Sequence, residues 1–394
     1  TDSRWSVHTA MSFVRGHGGD LSDFLPILEE EKFYAIEYRD GRPRSRYPIG
    51  PSLLAAPVVA LVAIARPNWA HDLSTKIPVR TEQFIASLVG AATGVIFFWV
   101  IFSRFESLWI GLASTATLAF GTSIWSTATR ALWQHGPLVL MLSIAMLLLV
   151  RARRRPELIQ FVGLPLAMGY LMRPTGIVPL GILSLYVLFY HRQWAARYLA
   201  WPALVAVPWL AYNLLIYGTP LPSYYVGEAF NSQTRFVEGL LGNLFSPSRG
   251  LFVFSPVLLF SISGFFLSLR DVDQRPLHLA FGLIVICHSI IVGAASMWWA
   301  GHAFGPRFMT DVVPILVYFV AFNFRLPASA PARLQRPLSA GVIVLALASS
   351  VIHAQGAWRY GTWQWNVLPV SIDERPSRAW DWSDPQFLRT YREH

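Results

Sequence analysis

Apolar runs long enough to enter a bilayer recur along most of the chain, near 51–65, 82–102, 107–127, 136–150, 157–171, 175–190, 198–216, 251–269, 277–295, 310–324 and 337–353. Polar and Gly/Pro-rich stretches separate them. Several runs are short or carry Pro, which membrane helices tolerate when neighbours satisfy the freed backbone groups. The pattern predicts an all-α polytopic membrane protein with about eleven transmembrane helices, joined partly by external loops that bear interfacial helices. It divides into an external interfacial loop at 1–50, a transmembrane helical domain at 51–353 that includes an external loop at 217–250, and an external tail at 354–394.

Arginine sets the expected orientation. The densest cluster, "RARRRP" at 151–156, belongs in the cytoplasm by the positive-inside rule. Alternation from there puts "HRQWAAR" (191–197), "RDVDQR" (270–275) and the Arg325–Arg336 loop on the same side, with 171–176, 217–250, 296–309 and the tail opposite. Counting backwards, 51–65 would have to run from inside to outside. That conflicts with an external 1–46, and the pattern leaves this parity open. The polar start ahead of the membrane region also leads to the expectation that a spanning helix precedes Thr1.

Composition fits this class. The chain has 394 residues, of which 54% are hydrophobic and 14% charged, with a mean hydropathy of +0.42. A soluble domain carries about a quarter charged residues. The net charge of +10 comes almost wholly from Arg, Lys32 and Lys76 being the only Lys. Loop orientation and anionic headgroups account for this charge. No basic stripe interleaved with stacking aromatics argues for nucleic acid. The single Cys, Cys287, permits no intrachain disulfide.

The stretch "SMWWAGHAFGPRFMTDVVP" (296–314) asks for an explanation beyond that of a connecting turn. Gly301, Gly305 and Pro306 permit a tight backbone path, Arg307 stands at the membrane face, and Trp298, Trp299 and His302 crowd beside it. Trp faces stack on sugar rings, and Trp is also the ordinary interfacial anchor. Arg173 in "LMRPTG" follows an apolar run, where a cation is costly unless it snorkels to headgroups. Arg249 in "SPSRGLF" stands where the chain re-enters the membrane. Several Arg converging from separate loops would need an anion.

Other segments leave two readings each. Asp2, ahead of an apolar pattern (Trp5, Val7, Met11, Phe13, Val14) that suits a helix lying on the membrane surface, reads as a helix cap or as a general base at a low-dielectric edge. Arg39, Arg42, Arg44 and Arg46 suit phosphate oxygens or a solvated loop. His135, beside Arg130, Trp133 and Gln134, is a satisfied interfacial residue or part of a site. The loop containing Tyr224, Tyr225, Glu228 and Arg235 is long enough to act as a lid. There is no nucleotide-binding Gly-rich loop and no Cys/His metal pattern. A divalent metal held by His302 or His135 with an aspartate has no support in the spacing, and no cofactor is assigned. Asp and Glu within spans look almost absent, which weighs against an ion-coupled transporter.

As an ordered set, "TDSRWS", "YPIGPSLLAAP", "FGTSIWSTATRALWQHGP", "LMRPTG", "YGTPLPSYY", "SPSRGLFVFSP" and "GHAFGPRFMTDVVP" resemble the C-type-fold membrane glycosyltransferases that use polyprenyl-phosphate sugars, such as protein O-mannosyltransferases and aminoarabinose transferases. That resemblance implies a bacterial inner-membrane transferase with its active face external. The donor would be a polyprenyl-phosphate-linked sugar. Asp2 matches the acid that follows the family's first span and would act as catalytic base in one inverting displacement. Arg173, Arg249 and Arg307 would neutralise the leaving phosphate, with His302, His135, Trp299 and Tyr224 completing the binding set. His135 stands where the family often has a second acid. Partners would be membrane lipids and possible membrane subunits. The competing expectations are a non-catalytic accessory subunit of a membrane complex, in which the cavity is filled by side chains, and a lipid transporter.

Overall fold

The computed structural model describes residues 2–226, 236–325 and 332–391; Glu228, Arg235 and most of the connection between Arg325 and Arg336 lie outside them. The described residues are all-α apart from one hairpin. The helices are α1 (Ser6–Val14), α2 (Leu25–Glu31), α3 (Gly50–Ala65), α4 (Pro67–Asp72), α5 (Val79–Phe105), α6 (Leu108–Phe120), α7 (His135–Arg151), α8 (Gly163–Met172), α9 (Ile177–Tyr190) and α10 (Ala195–Tyr217). They continue with α11 (Ser223–Val226), α12 (Phe236–Phe245), α13 (Leu251–Phe254), α14 (Phe260–Ser268), α15 (Arg275–Gly293), α16 (Val313–Ala321), α17 (Ala332–Trp358) and α18 (Tyr360–Gln364). Among the described residues, five helical segments are long and apolar enough to cross a bilayer: Val79–Phe105, Arg192–Tyr217, Arg275–Gly293, Arg307–Phe324 and Arg333–Trp358.

The hairpin pairs β1 (Ile36–Arg39) with β2 (Arg42–Ser45). Its turn is Asp40-Gly41, both with positive φ, the dipeptide that a tight two-residue hairpin favours. That signal lies in plain view in "YRDGRPR". The hairpin also engages three of the four arginines that the sequence left open to phosphate. Arg39 pairs with Glu37, Arg42 with Asp20, and Arg44 donates to the Gly18 carbonyl.

The bundle has two polar ends. At one, Arg104 and Arg153 share Asp271, Arg154 pairs with Glu106, and Arg325 donates to the Phe105 carbonyl. At the other, Glu82 bonds Ser3, and His135 and Arg173 meet Asp311. Helix α5 joins the two ends. Glu82 and Arg104 lie 22 residues apart on it, about 33 Å at 1.5 Å per residue, close to the thickness of the hydrocarbon layer.

Helix α3 behaves differently. Its first residue, Gly50, packs on the backbone of Leu171 and Met172, next to Arg173. The chain that follows α3 runs back beside the polar start, since His8 Nε2 bonds the Leu73 carbonyl and Arg15 donates to that of Ala70. Residues 50–78 therefore leave and return to one end.

Helix α1 corrects an expectation. Val7 through Ser12 are all buried, and together with Trp5, Leu21, Phe24, Ile27, Ala55 and Val59 they form a small core of their own. A helix without a charged residue has no polar face to turn to water, so it packs inside a folded cap rather than lying on the membrane surface. At the other extreme α16, with every residue buried, is the axis of the bundle.

Trp298 also belongs to the packing. It is 4% exposed and lies against Gly239 and Gly242 of α12, where a Cβ on either glycine would overlap its neighbours. The Gly242→Ala variant is expected to lose about 1–3 kcal/mol of stability by overpacking the indole, measured as thermal unfolding in detergent.

Candidate functional site

Helix α6 ends in a π-turn, Ile124–Ala128, fixed by hydrogen bonds of Ser123 to Thr310 (2.8 Å), Ser126 to His353 (2.8 Å) and Thr127 to the Phe304 carbonyl (3.3 Å). Turns of this kind recur at functional sites because they re-aim the chain that follows. Here the chain emerges as Trp133-Gln134-His135, and these three neighbours reach three parts of one polar cluster.

Trp133 lies under Arg307, whose guanidinium carbon is 3.9 Å from the ring centroid. Arg307 forms an ion pair with Asp2, and its Nη1 donates to the Ala300 carbonyl at 3.4 Å. The second Asp2 oxygen accepts from the Tyr34 hydroxyl at 2.7 Å, and the Tyr34 and Tyr47 hydroxyls are 2.8 Å apart. Tyr47 packs edge-on against Tyr224, and Gln134 Nε2 donates to the Tyr224 hydroxyl at 3.1 Å. Burial alone would push the Asp2 carboxyl up, but the charge and hydrogen bond of Arg307 outweigh it and hold Asp2 below the usual carboxylate range. Burial, together with the Asp2 charge, pushes the Tyr34 hydroxyl up to about 12.

The third neighbour, His135, is fully buried and bonds Asp311 through Nδ1 at 2.6 Å and Arg173 through Nε2 at 3.2 Å. Arg173 Nε lies 2.9 Å from the other Asp311 oxygen, which also accepts from Thr175 at 2.7 Å. Trp133, under Arg307, and His135, bonded to Arg173, are only two residues apart. The guanidinium groups of Arg173 and Arg307 thus stand at one site, each already opposite a carboxylate of the protein.

Two acidic residues were missed in the sequence. Asp311 is 3% exposed within the segment Arg307–Phe324, and Glu82 is 4% exposed in α5. Both lie inside apolar helical segments, contrary to the expectation that such residues are almost absent. Glu82 accepts from Ser3 Oγ at 2.5 Å and from the Leu132 amide at 3.0 Å, so one carboxylate braces the residue after Asp2 and the residue before Trp133. The signal for Asp311 was its spacing four residues after Arg307.

Arg249 leaves the binding set. It is 1% exposed, and its three nitrogens donate to the carbonyls of Trp299 (2.6 Å), Ser248 (2.7 Å) and Gly301 (3.1 Å), to Gln386 Oε1 (2.7 Å) and to Asn366 Oδ1 (2.8 Å). Burial draws its pKa down to about 9, while the charge of Asp373 opposes that shift. With every donor occupied, it fastens the tail segment 359–391 to the loop 296–305 instead of facing a ligand. Trp299 and His302 serve the same junction: the indole N–H donates to Asp373 at 2.7 Å, and His302 Nε2 lies 3.2 Å from Ser371 Oγ. The aromatic face at Arg307 comes from Trp133, and neither Trp of the 296–314 motif supplies it.

Among the described residues, no three His, Cys, Asp or Glu side chains stand close enough to share a metal ion. Beside the site, Arg46, Tyr47, Trp209, Tyr217 and Tyr225 line a recess of about 10 Å³, the space of one water molecule. No family model, curated protein or solved structure matches this chain.

Proposed function

We propose that the protein is an integral-membrane glycosyltransferase that moves a sugar from a polyprenyl phosphate to an acceptor hydroxyl by inverting displacement. The observation that carries this reading is the meeting of Asp2, Arg307 and Trp133 from distant parts of the chain at a single partly buried point. A carboxylate that takes the acceptor proton, a guanidinium that meets the departing phosphate and an aromatic face beside both are the parts such a displacement needs. Arg173, held by Asp311, stands as the second cation. The resemblance of the ordered motifs to the C-type-fold transferases supports the same chemistry.

The proposed topology has ten crossings. α3 is removed from the eleven because residues 50–78 begin and end at the site end, and this removes the parity conflict. The Arg104/Arg154 end is then cytoplasmic. The site, the polar start and the tail share the external face of a bacterial inner membrane.

Saturable binding of a polyprenyl phosphate to the purified protein in nanodiscs is the expected result. Arg307→Ala is expected to weaken it by roughly 10- to 100-fold, the worth of a charged hydrogen bond. Equal affinity in the two proteins would return Arg307 to a structural role.

A second reading, a non-catalytic accessory subunit, has one observation in its favour: the site's cations are met by the protein's own carboxylates, and Arg249 is sealed. It requires that no polyprenyl phosphate bind at all.

A further inference from the structure

We infer that the Asp2 carboxylate occupies the phosphate position on Arg307 in the resting protein, so that donor binding displaces it and thereby releases the base. This inference rests on the transferase reading and adds an order to it, donor first and acceptor second.

Donors outnumber acceptors around the ion pair. Asp2 has two oxygens. One accepts from Tyr34 and the other from Arg307 Nη2; each oxygen keeps a lone pair, but the paired guanidinium makes the carboxylate a poor proton acceptor. The cationic side, by contrast, is under-used. The Nε–H of Arg307 and the indole N–H of Trp133 are both buried without a hydrogen-bond partner, and Trp133 is 9% exposed. Unpaired buried donors are costly and uncommon unless something else engages them. Asp2 engages Nη2 alone and leaves the Nε–H and the indole N–H unpaired. The phosphate of a polyprenyl-phosphate sugar carries two anionic and two ester oxygens in a tetrahedron, so it reaches donors that a flat carboxylate held by Tyr34 does not.

The tyrosines make the exchange workable. When Arg307 turns to a phosphate, the Asp2 oxygen bonded to Tyr34 keeps its partner, and Tyr34 is itself bonded to Tyr47. The carboxylate therefore stays in place while its other oxygen becomes available. Its proton affinity also rises once Arg307 is engaged elsewhere, since that guanidinium is what holds it low. Without donor, the base is neutralised and the site does not activate water or a stray hydroxyl.

The test is the affinity of a polyprenyl phosphate, without sugar, for wild type and for Asp2→Asn, Asp2→Glu and Trp133→Phe, each reconstituted in nanodiscs. A self-anion that competes for Arg307 acts as a coupling between occupants of one site, so Asp2→Asn is expected to bind at least about five-fold more tightly than wild type. Asp2→Glu, which keeps the charge, is expected to stay within about two-fold of wild type. Trp133→Phe keeps the stacking face but loses the indole donor and is expected to bind roughly ten-fold more weakly. Equal or weaker binding by Asp2→Asn, with wild type still binding, overturns the displacement and leaves the lipid-phosphate site standing. Failure of wild type and Asp2→Asn alike to bind overturns the transferase reading and this inference with it.

Discussion

The Asp2→Asn variant is expected to lose sugar transfer by roughly 10²- to 10⁴-fold, the usual worth of a positioned general base. The comparison is turnover of a polyprenyl-phosphate sugar by wild type and variant, with thermal unfolding as the control for folding. Asparagine keeps the shape of the side chain and an oxygen for Tyr34, so the local fold persists while the proton acceptor is gone. Donor affinity and turnover are then expected to move in opposite directions, tighter binding with slower chemistry, which simple damage to the site would not produce. The pH sign is also fixed. A carboxyl whose folded pKa lies below its unfolded value stabilises the protein above the unfolded pKa, about 3.9, and that contribution fades as pH falls through the folded value. Between pH 5 and 8, within the range where Asp2 stays ionised, the Asp2–Arg307 pair contributes no slope to stability. A steep loss of stability in that window that disappears in Asp2→Asn would contradict the assignment.

Arg249→Ala is expected to cost about 3–5 kcal/mol, the scale seen when one partner of a buried charged network is removed. Five acceptors converge on the guanidinium, and truncation leaves them facing a void. Arg249→Lys retains the charge but cannot present the planar fork, so an intermediate loss follows. Thermal unfolding and limited proteolysis of the 359–391 segment measure both effects, with earlier cleavage of the tail in Arg249→Ala. A residue built to hold a ligand would behave in the opposite way, sparing stability and lowering affinity. That outcome would restore Arg249 to the binding set.

Much of the helical pattern was legible because apolar runs and Arg-rich turns are local signals. Each of the eleven runs coincides with helix, and the two polar ends gather the loops that arginine density had grouped. The failures have a common physical origin. Arg249 and Arg307 look alike in sequence, each an Arg beside Gly or Pro at a membrane edge. What separates them is whether distant carbonyls or a distant carboxylate close upon the guanidinium. Trp298 and Trp299 looked like sugar platforms because exposure of an indole is decided by what packs on it, here the small residues of α12 and the returning tail. The resemblance put Asp2 and Arg307 in one site, yet nothing in the residues themselves foretells an ion pair between positions 305 apart. Glu82 and Asp311 escaped notice because each lies near the start of an apolar run, where hydropathy alone does not tell a buried carboxylate from one facing headgroups. α3 was counted as a crossing because length and hydropathy describe a helix and not where its ends return.

Helix α16 bears on how the protein is made. The segment Arg307–Phe324 is the least hydrophobic of the five long apolar segments and the one most enclosed by the rest of the chain. Carrying Asp311, it partitions poorly into lipid by itself. During synthesis it has to be received by α5, α6, α7, α14 and α15, all of which emerge from the ribosome earlier. Assembly therefore passes through the threading of a marginal helix into a waiting socket before α17 and the tail arrive, and a nascent chain halted before residue 300 exposes that socket to the quality-control machinery of the cell.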